Sequence, residues 1–341
     1  PIIFMKILFI GCGSIGRRHI TNLRSILKKN VEILAYRTFL KSHHLEENFF
    51  KDYHVKQFSS LKEALDQKPD IAFITNPTSL HIPVALKAAK AGCHLFIEKP
   101  LSHNLKGINE LEFIVKKKKL ITFIGFNLRF HPIIMEVSDL LFKKEIGDII
   151  SVRTEVGSFL PNWHSHENYS TNYSALPDLG GGVVLDLIHD IDYTTSFVKG
   201  GYHSVDDVYC VGGKYSKLKI KTEDIAEIVM RAGNSILSVH MDYLQHPPVR
   251  KSTIIGTKGV LDIDLIKNQG MFHSLDNTFL EIKPSFYLDP NLSYMDELRY
   301  FLDCIKKKKQ TFADITDGKQ ILQIALAAKK SMNTGRRVVL R

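Results

Sequence analysis

Apolar positions follow two rhythms along this chain of 341 residues. In the first third, short unbroken apolar runs alternate with stretches spaced for helices. Residues 6–10 form one such run, bounded by glycine, and predict a strand. Ile20, Leu23 and Leu27 then recur at helical spacing. Residues 31–36 predict a second strand, 61–67 a short helix and 71–75 another buried strand. Pro83 is placed at the first position of the next helix. Val84, Ala85, Ala88 and Ala89 line one face of it, and Gly92 closes it. Residues 94–97 predict a strand, Ile108, Leu111 and Val115 a helix, and residues 121–126 a further strand. Strands alternating with helices of this length predict a parallel sheet with helices on both faces.

The rhythm changes near residue 127. Ile133, Val137, Leu140 and Leu141 mark one more helix. Long β-rich stretches follow over 149–159, 205–215, 225–243, 252–266 and 278–282, interrupted by one helix after Gly182. That pattern predicts an α+β domain on a largely antiparallel sheet. Helices over 293–306 and 317–333 close the chain, with Gly335 as a stop. The expected division is a parallel-sheet domain over 1–126 and an α+β domain over 127–341. The C-terminal helix is expected to pack back on the first domain.

Composition adds limits. Apolar residues make up 44% and charged residues 24%, the profile of a soluble globular protein. No window reaches the roughly 18 apolar residues of a membrane span. Pro1 is not a native initiator, so Met5 is the expected start, with a remnant before it. The four cysteines, Cys12, Cys93, Cys210 and Cys304, are scattered without metal-ligand spacing, which suits free thiols in a reducing cytoplasm. The formal charge is +10, much of it in lysine runs at 116–119 and 306–309. Both runs fall where predicted helices end, where cations favour the helix dipole. They lack the interleaved aromatics of a nucleic-acid surface, so no nucleic-acid or membrane partner is expected.

Gly11-Cys12-Gly13-Ser14-Ile15-Gly16 fits the pattern G-x-G-x-x-G between a predicted strand and a predicted amphipathic helix. Gly11 permits a tight turn, Gly13 lets the backbone approach a pyrophosphate, and Gly16 falls on the helical stripe and allows close packing. The helix N-terminus then offers backbone N–H groups to phosphates. At the end of the second strand, Tyr36, Arg37 and Thr38 hold no acid for a ribose 2′-hydroxyl. Arg37 can pair with a 2′-phosphate. The expected cofactor is therefore NADP(H) in preference, with NAD(H) also accepted.

Three further features carry chemistry. Glu98-Lys99-Pro100 follows a strand at its carboxyl end, where open α/β sheets place ligands, and Pro100 holds Lys99 extended. Thr75-Asn76-Pro77, followed by His81, stands at another such end and can border the ribose and nicotinamide. After Gly180, Gly181 and Gly182, a single helix drawn on a wheel puts Val184, Leu187, Ile188 and Ile191 on one face. Asp186, His189, Asp190 and Tyr193 fall on the other. A carboxylate beside a histidine orients the ring and raises its basicity, as an alcohol-oxidising base requires.

Together these motifs, with residues 125–130, resemble the Gfo/Idh/MocA oxidoreductase family over nearly the whole chain. The resemblance implies a Rossmann domain, an open-faced sheet domain, and reversible hydride transfer at a carbon of a sugar, sugar nucleotide or cyclitol. It implies that Lys99 holds the reacting hydroxyl and that His189 is the general acid/base, with Asp186 beside it. The family spacing Asp-x-x-x-His is one residue shorter here, which leaves Asp190 as the rival base. The form Asp-Leu-x-His followed by an acid, Ile, Asp and Tyr looks like a subgroup from polysaccharide and sugar-nucleotide biosynthesis. Asn127, Arg129, Trp163 and Tyr173 are the further candidates for substrate contact. The loop holding Trp163 is rich in aromatic and hydrogen-bonding groups that suit a sugar. His164, His166 and Glu167 in that loop suggest a metal, but hydride transfer needs none, and none is expected. Two other readings fit the same residues: a non-catalytic dinucleotide and sugar-binding regulator, and an internal-redox enzyme that keeps its cofactor, in the manner of an NAD-dependent glycosidase. A homodimer or homotetramer is expected through the open sheet face.

Overall fold

The computed structural model describes residues 4–37, 44–163, 168–198, 201–284 and 289–340. The chain forms two compact units. One holds residues 1–126 and 291–319, and the other holds 127–290 and 320–341.

In the first unit, β1 (Met5–Ile10), α1 (Ser14–Leu27), β2 (Val31–Tyr36), α2 (His44–Asp52) and β3 (Val55–Phe58) open the chain. They are followed by α3 (Leu61–Asp66), β4 (Ile71–Ile74), α4 (His81–Ala91), β5 (His94–Glu98), α5 (Ile108–Lys118) and β6 (Thr122–Gly125). The six strands are all parallel, in the order β3-β2-β1-β4-β5-β6. That is the doubly wound dinucleotide-binding order, and it puts the carboxyl ends of β1 and β4 side by side. The middles of the central strands are apolar because both sheet faces are covered, and Ile7–Ile10 and Ile71–Ile74 are buried throughout. Ser60 caps α3 through its hydroxyl, and Gly92 ends α4 with a left-handed φ of 97°. The helix α4 begins at His81, so Pro83 stands at its third position. α2 and β3 carry no clean apolar period and were not foreseen.

The second unit contains α6 (Pro132–Phe142), β7 (Ile149–Gly157), α7 (Val183–Asp186), α8 (Ile188–Ser196) and β8 (Val205–Gly213). β9 (Ile225–Ala232), β10 (Ser235–Asp242), β11 (Val249–Gly256), β12 (Gly259–Asp264), β13 (Gln269–Ser274) and β14 (Phe279–Ile282) follow. Alternation is cleanest in β9, which reads half-buried, then buried and exposed by turns. One sheet face is thus apolar and the other is polar. Thr154 of β7 meets Thr194 of α8 on the covered face, at 2.6 Å between hydroxyls. The opposite face carries Arg153, Glu155, Glu227, His240 and Lys251 around an open hollow of about 480 Å³. There His240 lies between Asp242 and Glu227, and these two acids push its pKa up to about 9.

After β14 the chain forms α9 (Asn291–Lys307), α10 (Ile315–Thr334) and β15 (Val338–Val339). β15 extends the second sheet to nine strands in the order β14-β13-β12-β11-β7-β10-β9-β8-β15. All neighbours are antiparallel except β7 and β10. The sequence reading placed residues 291–319 in the second domain and let the C-terminal helix pack back on the first, whereas residues 291–319 cluster with the first compact unit. The physical reason is the apolar side of α9. Its Phe301 lies against Phe73, Phe96 and Phe123 of the parallel strands, with ring centroids 5.7–6.2 Å apart.

Candidate active site

The glycine loop of the first unit is built by exclusion. Gly11 has φ of 100°, and a Cβ on it would lie 2.6–2.8 Å from backbone atoms of Asn76 and Thr75. Only glycine allows both that dihedral and that approach. The Thr75 hydroxyl donates to the Gly11 carbonyl at 2.7 Å, which locks the turn to the end of β4. A Cβ on Gly16 would meet the Gly11 carbonyl oxygen at 2.8 Å and the Thr75 hydroxyl at 2.9 Å. Gly16 therefore makes room for the loop itself and not only for the sheet. Gly13 differs, because the space where its Cβ would stand is open.

That open space lies at the N-terminus of α1, where Gly13 is the cap residue and supplies no side-chain cap. The first turn contains no acid. Cys12 and Ile15 flank it half-buried, and Ser14 is exposed. Uncapped N–H groups beside a missing side chain fit a pyrophosphate. Arg37 follows β2, and its guanidinium carbon stands 4.7 Å over the Phe50 ring of α2. Thr38 lies outside the described residues.

Beside the loop, Asn76, Pro77 and His81 follow β4. The sequence placed His81 against the cofactor, but the structure buries its ring. Nδ1 lies 3.0 Å from the Pro100 carbonyl and Nε2 lies 2.9 Å from the Asn76 carbonyl. Burial pushes its pKa below the ordinary histidine value. His81 thus ties together the two loops that carry Asn76 and Lys99. Glu98 is buried at the end of β5, where it accepts from the Lys99 backbone N–H at 3.2 Å and lies 2.7 Å from Nε2 of His19. The Lys99-Pro100 peptide bond is cis.

In the second unit the triple glycine sets a second tight turn. Gly182 has φ of 113°, and a Cβ on it would fall 2.3 Å from a carboxylate oxygen of Glu223. Glu223 is itself held by Lys329 at 2.7 and 2.9 Å, and its carbonyl accepts from the Val183 N–H. The single helix expected from Val183 onward is interrupted. Leu187, at φ −93° and ψ 25°, separates α7 from α8. One wheel therefore does not describe the segment, and its polar residues are not a solvated face. Asp186, His189, Asp190 and Tyr193 are all buried.

Each of the two acids has its own partner. Asp186 accepts from the Tyr243 hydroxyl at 2.6 Å, within the second unit. Tyr243 is fully buried, and its pKa is raised by that burial and then by the Asp186 charge. Asp190 accepts from Arg250 through both oxygens, at 3.1 and 3.0 Å, and from the Tyr193 hydroxyl at 2.6 Å. A carboxylate gripped in that fork is a structural anchor for α8. Arg129 is likewise engaged, donating to both oxygens of buried Asp192 at 2.9 and 2.6 Å. Asn127 is buried in the same short turn, Asn127–Phe130. The Trp163 ring stands edge-on to Tyr243 at 5.3 Å, and its N–H donates to Ser158 at 2.7 Å. The Tyr173 carbonyl is the atom that requires glycine at Gly181, where a Cβ would fall at 2.2 Å. His164, His166 and Glu167 lie outside the described residues.

Tyr243, Arg250, Glu223 and Lys329 were not found by reading motifs. Two aspartates flanking a histidine cannot be buried without donors. That requirement was readable, but their donors lie some 60 positions away along the chain.

Comparison with known proteins adds the family. Residues 5–126 match the family described as an oxidoreductase family with an NAD-binding Rossmann fold. Residues 134–262 match the GFO/IDH/MocA C-terminal domain. Myo-inositol 2-dehydrogenase of Thermotoga maritima is 27% identical, over 98% of each chain. An uncharacterized oxidoreductase of Bacillus subtilis, YrbE, is 26% identical over 96% of this chain and 94% of its own. Among solved structures, levoglucosan dehydrogenase in complex with NADH and levoglucosan has a TM-score of 0.86 at 18% identity, covering 98% of this chain and 99% of its own. At that identity the likeness is one of fold.

Replacing Arg250 with alanine leaves Asp190 buried with only the tyrosine donor. The expected loss of stability in denaturant unfolding is about 2 kcal/mol, below that of a fully buried pair because a quarter of the Arg250 side chain is exposed. An unchanged unfolding midpoint would remove the anchoring role.

Proposed function

Because the chain belongs to the Gfo/Idh/MocA oxidoreductase family, we propose that it is an NAD(P)-dependent dehydrogenase or reductase acting on a ring hydroxyl or ketone. The substrate class is a sugar, a sugar nucleotide or a cyclitol. The observation that carries this reading is the buried Asp186, held by Tyr243 and followed three residues later by buried His189. The nicotinamide, when bound, supplies the hydride acceptor or donor. Gly11, Cys12, Gly13, Ser14, Ile15 and Gly16 hold the pyrophosphate through backbone N–H groups. Thr75, Asn76, Pro77 and Glu98 shape the ribose and nicotinamide end, with His81 as the tie behind them. Lys99 donates to the reacting oxygen and holds it in register. His189 takes the hydroxyl proton during oxidation and returns it during reduction. Asp186 orients that histidine. Asp190 is the weaker candidate for the base, since Arg250 and Tyr193 occupy its oxygens. Asn127, Trp163 and Tyr173 are assigned to the substrate. Arg129 acts through the turn it shares with Asn127.

The test is reduced-dinucleotide absorbance with myo-inositol, scyllo-inositol, levoglucosan and a nucleotide sugar. We expect turnover with at least one, and a fall of about a hundredfold or more in kcat for Lys99→Ala and for His189→Ala. Undiminished turnover in Lys99→Ala would sink the role of the lysine. Tight binding without turnover would favour the regulator, and copurified cofactor without net reduction would favour an internal redox cycle.

NADP(H) is the preferred cofactor in this reading, because Tyr36 and Arg37 supply no acid at the end of β2. The Arg37→Ala variant is expected to raise KM for NADPH about tenfold and to leave KM for NADH unchanged. Equal effects on both cofactors would reverse that preference.

The polar face of the second sheet, around Arg153, Glu155, Glu227 and His240, is assigned to contact with a second copy of the chain. Light scattering is expected to give a dimer or tetramer. A single-chain mass at micromolar concentration would remove this assignment.

A further inference from the structure

One buried acid has no place in the chemistry above. Glu297 lies on α9 in the first unit with no exposed surface. Neither of its carboxylate oxygens has a hydrogen-bond partner among the described residues. It stands in a group with His19 and Glu98, whose donor and acceptor atoms all lie within 4.8 Å of one another. His19 comes from α1, Glu98 from the end of β5 and Glu297 from α9. The surrounding rings are Phe96, 5.0 Å from His19, Phe73 at 5.8 Å and Tyr294 at 6.1 Å.

Among the described residues, the charges around Glu297 offer it no counter-ion. Glu98 is the near charge and has the same sign. His19 directs its Nε2 at Glu98. Arg18 is stacked over the Tyr294 ring, with its guanidinium carbon 4.7 Å from the centroid. A second carboxylate in this position would bury an unpaired charge beside a like charge, which costs far more than binding a proton.

We propose that Glu297 is a positioning residue for Lys99, acting as a neutral carboxylic acid that, with His19, fixes the Glu98 carboxylate. Glu98 is the intermediary. One of its oxygens meets His19, and the other accepts from the Lys99 backbone N–H. A Cβ at Gly125 would stand 3.2–3.3 Å from the same carboxylate, so β6 also closes around it. Ionised Glu297 would repel Glu98 from this seat and shift the start of the loop that carries Lys99. Burial, followed by the Glu98 charge, raises the pKa of Glu297 well above its ordinary value.

The inference rests on the reading of Lys99 as the substrate-contacting amine, but its first test does not. A group whose folded pKa is raised stabilises the fold fully below its unfolded pKa, 4.5 here, and that contribution is lost as pH rises toward the folded value. Melting temperatures of the full chain and of Glu297→Gln are compared from about pH 5 to about pH 9. The gap is expected to widen in favour of the glutamine variant as pH rises. Infrared difference spectra at neutral pH are expected to show a protonated carboxyl band in the native chain that Glu297→Gln lacks. A constant gap with no such band overturns the neutral acid. A stoichiometric divalent ion that survives gel filtration, and whose removal by a chelator lowers the melting temperature, also overturns it.

The second test concerns position. With a polyol that turns over, Glu297→Leu is expected to lower kcat about tenfold while NADH binding stays within about twofold. Glu297→Gln is expected to restore kcat. Unchanged kcat in the leucine variant overturns the positioning role. If instead Lys99→Ala keeps full turnover, the functional reading fails while the melting and infrared results for Glu297 stand.

Discussion

A carboxylate taken out of water needs a donor already in place, because its desolvation is not recovered otherwise. Both units of this protein are organised by that constraint. In the second unit Asp186, Asp190 and Asp192 are each buried, and folding must bring Tyr243, Arg250 and Arg129 to them. These donors come from the end of β10, from β11 and from a separate turn. The position of α8 is thereby fixed by charge as much as by its apolar side. In the first unit the same rule applies to Glu98, answered by His19 and by the Lys99 backbone. The sheets provide scaffolds, and the buried acids set where the reactive side chains stand.

Much of the first unit was legible because local signals agreed with the fold. Gly11, Gly13 and Gly16 stood between an apolar run and a helical stripe, and Gly92 closed a helix that the period had marked. α2 and β3 were missed for the opposite reason. His44–Asp52 and Val55–Phe58 are short and mostly polar, and they gain order from the edge of the sheet and not from their own pattern. The membership of residues 291–319 was hidden because a helix period reveals an apolar side without naming what covers it.

The candidate site was legible as residue types and far less as geometry. His81 was readable as a histidine at a strand end, yet its ring is used to join two loops. The wheel for residues 183–198 assumed one helix, and the break at Leu187 separates Asp186 from Asp190 by more than spacing. Arg129 was read as a candidate substrate contact, and its guanidinium is paired with Asp192. For His81 and Arg129 the side chain was identified and its partner was not, because no local period names the Pro100 carbonyl, 19 positions on, or Asp192, 63 positions on. The family likeness supplied roles for Lys99 and His189 that no periodicity could have assigned.

The return of residues 291–319 to the first unit has a consequence for synthesis on the ribosome. Its parallel sheet emerges early, but the aromatic side covered by α9 stays open until nearly the whole chain has been made. Between those moments the nascent Rossmann unit must hold Phe73, Phe96 and Phe123 without their cover, a period of exposure in which chaperones find their substrates. Domains that fold as separate beads finish in order. Here neither unit can be complete until the end of the chain is made, because residues 291–319 belong to the first and 320–341 to the second, and a chain truncated after residue 290 would lose the cover of the first unit's aromatic side.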